Sequence, residues 1–559
     1  MLCGIDVGGT HTDAVLIGPH GVVACAKLPT NHDDLLASIR EALASIVAVA
    51  GPTAISRLTL STTLTTNAII EGTADPVGVL VSGGPGIDPE AYRMGGHYHV
   101  LDGAIDHRGR QTGAIDLAAA RPVIDAWAAA GVRAFAAVTK FSTRCPDQEL
   151  ALKALLADRS DCVSLGHEFS GRLGFGRRIA TACLNSAVWR VYNRFCDAVE
   201  QSVAELGMTA ALNVLKADGG TMPLSVSRTL PVQSILSGPA ASVMGIIAVC
   251  DIAEDSIILD IGGTTTDIAV FAAGAPLIEN EGIAIAGRST LVRALRTRSI
   301  GVGGDSAISV SRQAVEVGPR RLGPPMALGG PVPTLVDALN IQNVIAVGDP
   351  RASYQGILAV AAANGFEPEE VAEAAILNAV NQIRSEVAAF VREINDRPVY
   401  TIFELLEGRQ VRPTRVYVMG GPALALSALL QDAFSEEVVV PESFAVANAI
   451  GAALARPTFS VELFADTASG RLTIPSLGIT RQVADNYSPA AAEGEAATCL
   501  RDYLASIGAE VEDAPIETVE LSSFPMVEGQ CLVGHNIRVA CQVRPGVSAA
   551  YKQAVSKSC

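Results

Sequence analysis

The sequence predicts an α/β chain of two similar lobes facing one cleft, with a small C-terminal appendage. Three observations lead there. An eight-residue segment occurs twice, as DVGGTHTD at 6–13 and as DIGGTTTD at 260–267, with six positions identical. Short apolar runs alternate with Ala-rich helical stretches along most of the 559 residues, the pattern of helices packed on sheets. A third glycine pair, Gly420-Gly421, joins a strand-like run to a helical one.

Each copy of the repeat lies between two apolar runs, which predicts a β-hairpin with the glycines in its turn. Two copies so far apart imply two related lobes rather than a solenoid of short repeats. Paired glycines let backbone N–H groups approach a ligand closely, and the neighbouring threonines add hydroxyl donors. The hairpins therefore supply Gly8, Gly9, Thr10 and Thr12 from one side and Gly262, Gly263, Thr264 and Thr265 from the other. Such turns suit the phosphates of a nucleotide. Asp6 and Asp260 would be repelled by phosphate, so they are expected to hold a Mg²⁺ ion through its waters. Asp13 and Asp267 close the hairpins, and one of them is expected to orient a nucleophile. The strand-like 415–419, Gly420-Gly421 and the helical run 423–434 predict a place where backbone lies against an adenosine at a helix N-terminus.

In chain order, 1–75 reads as three short strands, a helix near 34–49, a strand at 58–60 and a helix from about 65. A strand at 74–82 runs into Gly83-Gly84; 116–130 is an Ala-rich helix and 132–138 a buried strand. The stretch 176–206 has neither Gly nor Pro between its ends and predicts one or two long helices. An inter-lobe helix at 237–250 starts at Gly238-Pro239. Another, at 368–394, carries Ala372, Ala375, Ile376, Ala379, Val380 and Ile383 on one apolar face. The boundaries that follow are 1–185 for the first lobe, 186–457 for the second with its inter-lobe helices, and 458–559 for an α/β or β appendage.

Composition narrows the class. The net charge of −17 argues against nucleic acid as a partner. No uncharged apolar run reaches the length of a membrane span, and Asp6 interrupts the stretch where a signal peptide is apolar. Eleven scattered cysteines without a CxxC pair fit a reducing compartment. The expectation is a soluble cytoplasmic protein. It has no GxSxG elbow, HExxH or Walker-type GxxxxGKS/T motif.

Three further groups stay open at this stage. His97 and His99 flank Tyr98 on one face of an extended segment, with Asp102, Asp106 and His107 nearby. They are either a second divalent-metal site or a polar loop edge. Arg177-Arg178 and Arg293, Arg296 and Arg298 either meet a ligand or pair with acids on helix surfaces, the commoner use. Asp305, beside Gly303 and Gly304, is a general base, a second metal ligand or a turn-stabilising Asx group.

Taken together, these motifs resemble the hydantoinase/oxoprolinase family, which includes N-methylhydantoinase A-type and acetone carboxylase beta-type subunits. That family sits within the actin, sugar-kinase and heat-shock-chaperone ATPase superfamily. The resemblance runs from about residue 2 to 457, through GIDVGGTHTDAVL (4–16), STTLTTNAIIEG (61–72), ADGGTMPL (217–224), LSGPAASVMG (236–245), LDIGGTTTDIAVF (259–271), IGVGGDSAI (300–308), VMGGPALAL (418–426) and VVVPESFAVANAIGAALA (438–455). It departs at Leu60-Ser61-Thr62-Thr63, where the family usually has His-Gly-Thr-Thr, and at Asp305, an added acid in a Gly-Gly-Gly-Ser-Ile loop. The resemblance implies two ribonuclease-H-like lobes with an interlobe nucleotide cleft. It also implies ATP with Mg²⁺, and phosphorylation of an amide or carbonyl oxygen of a small substrate such as a hydantoin, oxoproline or lactam. A hydantoinase B-like partner subunit and a homo- or hetero-oligomer are implied as well. A ketone carboxylase subunit, a small-molecule kinase and a nucleotide-gated regulatory protein are the alternatives.

Overall fold

The repeat folds twice into the same hairpin. In a computed structural model, which describes residues 1–31, 34–396, 410–509 and 516–558, Leu2–Val7 pairs antiparallel with His11–Gly18, and Asp6 lies opposite Asp13. Ser256–Ile261 pairs in the same way with Thr266–Ala272, and Asp260 lies opposite Asp267. Each turn closes with an equivalent bond: Gly8 N donates to His11 O (3.0 Å) and Gly262 N to Thr265 O (2.9 Å). On its other edge each first strand gains a parallel neighbour, Arg57–Thr62 in one lobe and Arg415–Met419 in the other.

Around the first hairpin the sheet grows to six strands: Thr221–Pro223, Ala211–Leu215, Arg57–Thr62, Leu2–Val7, His11–Gly18 and Gly21–Pro29. The helix Leu35–Ala50 starts at Asp34, whose side chain accepts from Ala37 N, and buries Ile39, Ala42, Leu43 and Ile46. That i, i+3, i+4, i+7 spacing puts one stripe on the sheet, at about 1.5–3 kcal/mol for each fully buried Ile or Leu. Because Ala211–Leu215 pairs parallel with Arg57–Thr62, the first sheet draws on chain beyond 185, and the expected boundary at 185/186 falls inside the helix Phe175–Glu205. That stretch is one helix of 31 residues.

The segment between Arg57–Thr62 and the helix Phe175–Glu205 builds a separate four-stranded sheet, ordered Cys162–Leu165, Ala134–Thr139, Val77–Ser82 and Tyr98–Val100. All its pairs are parallel. Phe175–Glu205 covers one face; Leu117–Ala129 and Asp147–Leu156 cover the other, as a parallel sheet requires. In the second lobe Pro368–Asn395 packs its apolar face, from Val371 to Phe390, over the sheet that carries the second hairpin.

Two helices run between the lobes, Ser237–Val249 and Ala447–Leu454. They meet without intervening side chains: a Cβ on Gly451 would lie 2.3 Å from Gly245 N. The second also lies directly against Leu2–Val7, where a Cβ on Gly4 would be 2.1 Å from Ala449 O.

The C-terminal region is an antiparallel five-stranded sheet, ordered Ile479–Gln482, Arg471–Ile474, Ser460–Asp466, Cys531–Val543 and Ile516–Glu528. The helix Pro489–Ser506 lies on it through Ala492, Ala496, Leu500 and Leu504. This α/β unit is anchored to the first lobe. Arg108 pairs with Asp466 at 3.1 Å, and Glu462 accepts from Ser170 Oγ (3.1 Å) and Gly171 N (2.7 Å). Among the described residues no helix is long and apolar enough to cross a membrane.

Candidate active site

The two glycine turns meet tip to tip. A Cβ on Gly263 would lie 2.4 Å from Thr10 Cγ2, and one on Gly9 would lie 3.8 Å from Thr264 Oγ1. Between the lobes at this point is a cavity of about 690 Å³, within the usual range for a small-molecule site. Gly8, Gly9, Thr10, Gly262, Gly263, Thr264, Thr265, Gly304, Gly420 and Gly421 line it, with the five carboxylates of Asp6, Asp13, Asp260, Asp267 and Asp305.

Thr12 and Gly303 do not line it. Thr12 is fully buried; its Oγ1 lies 3.1 Å from Thr30 Oγ1, which donates to Gly8 O (2.9 Å). It braces the first turn from behind, as the alternation of strand side chains demands. Gly303 backs the second turn, where a Cβ would be 2.6 Å from Gly263 O. Its neighbours tie the loop down: Gly304 N donates to Gly262 O (3.0 Å) and Asp305 N to Gly263 O (2.6 Å).

The acids differ in their partners. Lys27 Nζ donates to both oxygens of Asp13, at 2.9 and 2.8 Å. Ser242 Oγ donates to Asp260 Oδ2 (2.5 Å). Asn448 Nδ2 reaches both lobes, donating to Asp260 Oδ2 (3.0 Å) and Asp6 Oδ2 (3.3 Å). Burial, with Asp13 and Asp260 close by, pushes the Asp6 carboxyl up to about 7. Burial and Asp260 push Asp267 up to about 7 as well. Burial also raises Asp13, against the pull of Lys27. Asp305 is raised by burial and held back by Arg321, whose Nε lies 3.1 Å from its Oδ2. Burial, Lys27 and Arg321 lower the His11 imidazole.

This donor set fits magnesium held through water. Carboxylates crowded until two of them titrate near neutrality are the oxygen-rich, anionic surroundings that a hard divalent cation stabilises. Asn448 Oδ1, buried and without a hydrogen-bond partner among the described residues, is one more oxygen acceptor beside them. A nucleotide fits too. The glycine turns offer backbone N–H groups to phosphate, while Leu339, Ile345, Val347, Ala425 and Phe444 make one wall apolar, suited to a base. Gly420, at φ 93°, passes so near the second hairpin that a Cβ would strike Ile261 O at 2.2 Å, whereas Gly421 faces open space. The helix Ala423–Ala433 follows.

Sequence reasoning did not single out Asn448, Lys27, Ser242, His11 or Arg321. Asn448 had a signal: it is a lone amide in an apolar, Ala-rich run, and a buried polar group needs a partner. Of the five arginines only Arg296 and Arg298 follow the commoner use; Arg177 donates to the carbonyls of Glu281, Gly282 and Thr290, and Arg293 Nε and Nη2 are buried with no hydrogen-bond partner among the described residues. Arg296 pairs with Glu279 and Glu393, and Arg298 with Glu386 and Glu393, while Arg178 is fully buried beside Glu149. A second metal at His97 and His99 gains no support. His97 stands edge-on to Trp127, Asp106 is occupied by the N–H groups of Arg108 and Arg110, and among the described residues no three His, Cys, Asp or Glu side chains gather as a metal cluster.

Family models match almost the whole region that builds this cleft. The N-terminal region of hydantoinase/oxoprolinase matches residues 2–159, and hydantoinase/oxoprolinase matches 178–461, half of the chain by itself. The chain belongs to the hydantoinase/oxoprolinase family. Within this family it is 29% identical over 374 residues to caprolactamase subunit alpha of Pseudomonas jessenii, covering 60% of this chain and 53% of that one. It is 23% identical over 491 residues to the acetophenone carboxylase gamma subunit of Aromatoleum aromaticum, covering 78% and 65%. The chain thus spans between half and two thirds of these relatives. The solved structures of a nucleotide-free acetone carboxylase (TM-score 0.76, 15% identity) and of the ATP-dependent caprolactamase of Pseudomonas jessenii (TM-score 0.71, 21%) each cover 98% of this chain and 88% of their own. They establish the fold, an α/β architecture of two lobes about one cleft that this chain shares with them.

Proposed function

We propose that the chain binds Mg-ATP between its two hairpins and hydrolyses a small cyclic amide, of the hydantoin, oxoproline or lactam type. The observation that carries this is the meeting of the two glycine turns over crowded carboxylates. ATP supplies the phosphoryl group that activates the amide oxygen and so makes the ring carbon open to water. The backbone N–H groups of Gly8, Gly9, Gly262 and Gly263 and the hydroxyls of Thr10, Thr264 and Thr265 hold the phosphates. Asp6 and Asp260 hold magnesium through water, with Asn448 fixing their separation. Phosphoryl transfer asks mainly for such positioning and charge neutralisation. Asp267, unpaired with any cation among the described residues and raised by burial and Asp260, accepts the proton of the attacking nucleophile, whereas Asp13 is held by Lys27. Asp305, with Arg321, faces the substrate side, and Gly420 and Gly421 lie against the adenosine.

The longer match to the acetophenone carboxylase subunit favours one second reading, in which the activated carbonyl belongs to a ketone that is carboxylated. Both relatives are named as subunits, which supports work beside a hydantoinase B-like partner in a cytoplasmic oligomer.

Phosphate release from Mg-ATP by the purified chain, screened with hydantoins, 5-oxoproline, lactams, and small ketones with bicarbonate, tests the proposal. Release stimulated by a cyclic amide, with ring opening in equal amount, is expected. Stimulation by a ketone and bicarbonate alone replaces it with the second reading, and a stable phosphorylated product makes the protein a kinase. Failure to bind Mg-ATP at all removes the site.

A further inference from the structure

Away from the nucleotide cleft, the loop 171–174, the start of the helix Phe175–Glu205 and the C-terminal sheet enclose a second cavity of about 280 Å³. In a chain of net charge −17, four of its lining residues are arginines, against three glutamates, Glu281, Glu462 and Glu520. Two of the arginines are already satisfied. Arg172 lies within 3.7–3.9 Å of Glu281, Glu462 and Glu520, and Arg177 Nη1 donates to the carbonyls of Glu281, Gly282 and Thr290. Arg144 and Arg538 differ: among the described residues neither pairs with a carboxylate, and Asp466 beside Arg144 is taken by Arg108. Arg144 is 4% exposed. Its guanidinium stacks on Phe464, 3.2 Å from the ring centroid, and its Nη1 has no hydrogen-bond partner among the described residues.

A buried cationic donor left unpaired is costly, and a second cation nearby compounds it. Burial, Arg538 and Arg178 together lower the Arg144 guanidinium to about 9. The helix starting at Phe175 has no side-chain cap at Gly174, so its free N–H groups add positive potential to the same cavity. Leu173 and Leu291 give the cavity an apolar side, while Val539 points into the core on the other face of the C-terminal sheet. An inorganic anion would use the first half of this cavity and leave the second bare. We propose that the cavity binds a small organic carboxylate, its oxygens on the guanidinium groups of Arg144 and Arg538 and its hydrocarbon against Leu173 and Leu291. Arg538 is exposed and sits at the mouth, which gives the ligand a way in. This site is independent of the nucleotide reading.

Thermal shift and calorimetry on the full chain at fixed ionic strength test it, with acetate, butyrate and hexanoate as probes and phosphate, sulfate and hexylamine as comparisons. Saturable binding is expected to tighten by about threefold to fourfold per added methylene, with hexylamine inert. Arg144→Met should weaken hexanoate at least tenfold and leave the wild-type circular dichroism spectrum and cooperative thermal unfolding, the checks on folding, in place. If that variant does not fold, Arg538→Glu, an exposed change, should weaken it at least fivefold. No saturable carboxylate binding overturns the proposal, as does equal affinity for phosphate without dependence on chain length. Wild-type affinity in the variants that fold overturns it as well.

Discussion

The approach of the two turns can be tested with one methyl group. Gly263→Ala places a Cβ 2.4 Å from Thr10 Cγ2 and 3.1 Å from Asp305 Oδ2. Carbon atoms in contact prefer about 3.5–4.0 Å, so the overlap is roughly 1.1–1.6 Å. Rotating Thr10 does not relieve it, because its hydroxyl is already 3.2 Å from the same point. On the proposed reading, the protein without nucleotide can let the turns part, whereas binding brings them back onto the phosphates. The cost therefore falls on binding, and overpacking of this kind is about 1–3 kcal/mol, or roughly a 5- to 150-fold weaker Kd for Mg-ATP. Isothermal titration of the wild type, Gly263→Ala, Thr10→Ser and the double variant measures it. Thr10→Ser removes the opposing methyl, so the double variant should recover most of the lost affinity while Thr10→Ser alone stays within about threefold of wild type. An unchanged Kd in a folded Gly263→Ala protein would refute the idea that these turns close on the nucleotide.

Asp260→Asn, with folding intact, should weaken magnesium-dependent ATP binding at least tenfold; wild-type affinity would sink the assignment of this acid to the metal. Asp6 and Asp267 titrate near 7 in the folded protein against an ordinary value of 3.8, so between these limits the folded state holds the more protons and metal-free stability falls as pH rises. Magnesium competes with those protons, so its stabilising effect on Tm should be larger at pH 8 than at pH 5.5, and an equal shift at both would contradict this. Glu149 is fully buried, yet His167 and Arg178 hold its carboxyl below the usual range; Glu149→Gln strands both and should cost about 3–5 kcal/mol by urea unfolding. Its stabilising charge should be lost as the wild type is acidified below 4.5. Gly451→Ala sets a methyl against the backbone of Gly245 and should lower Tm sharply, whereas Gly494→Ala, facing open space in a helix, should raise stability by about 0.5–1 kcal/mol.

What the sequence disclosed and what it hid follow from the range of the interactions. A hairpin is local: apolar run, glycine turn and apolar run all lie within about fifteen residues, so both copies could be read, as could the strand, Gly420-Gly421 and helix junction. The helices Leu35–Ala50, Leu117–Ala129 and Pro368–Asn395 carried their own spacing. Partnerships across hundreds of residues left no such trace. Nothing near Lys27 marks it as the partner of Asp13 rather than an exposed strand lysine, and nothing near Asn448 points to two aspartates 188 and 442 positions away. Thr12 and Gly303 were misplaced for a subtler reason: they share a motif with cleft residues, but strand alternation turns Thr12 inward, and the loop that holds Gly303 lies behind the turn rather than over it. Of the inserted parallel sheet, the strands at 74–82 and 132–138 and the extended segment at 97–99 were legible, whereas Cys162–Leu165 was not, and the pairing order depends on contacts that only the fold supplies.

The helix Ala447–Leu454 lies backbone against backbone on Leu2–Val7 and on Ser237–Val249. It begins at the amide that spans Asp6 and Asp260, and it leads directly to Thr458, whose hydroxyl donates to Asp218 at the root of the C-terminal sheet. At Gly4, Gly245 and Gly451 backbone meets backbone, so no rotamer change there can absorb a displacement. One short helix thus ties the spacing of the two acids to the seat of the C-terminal sheet on the first lobe.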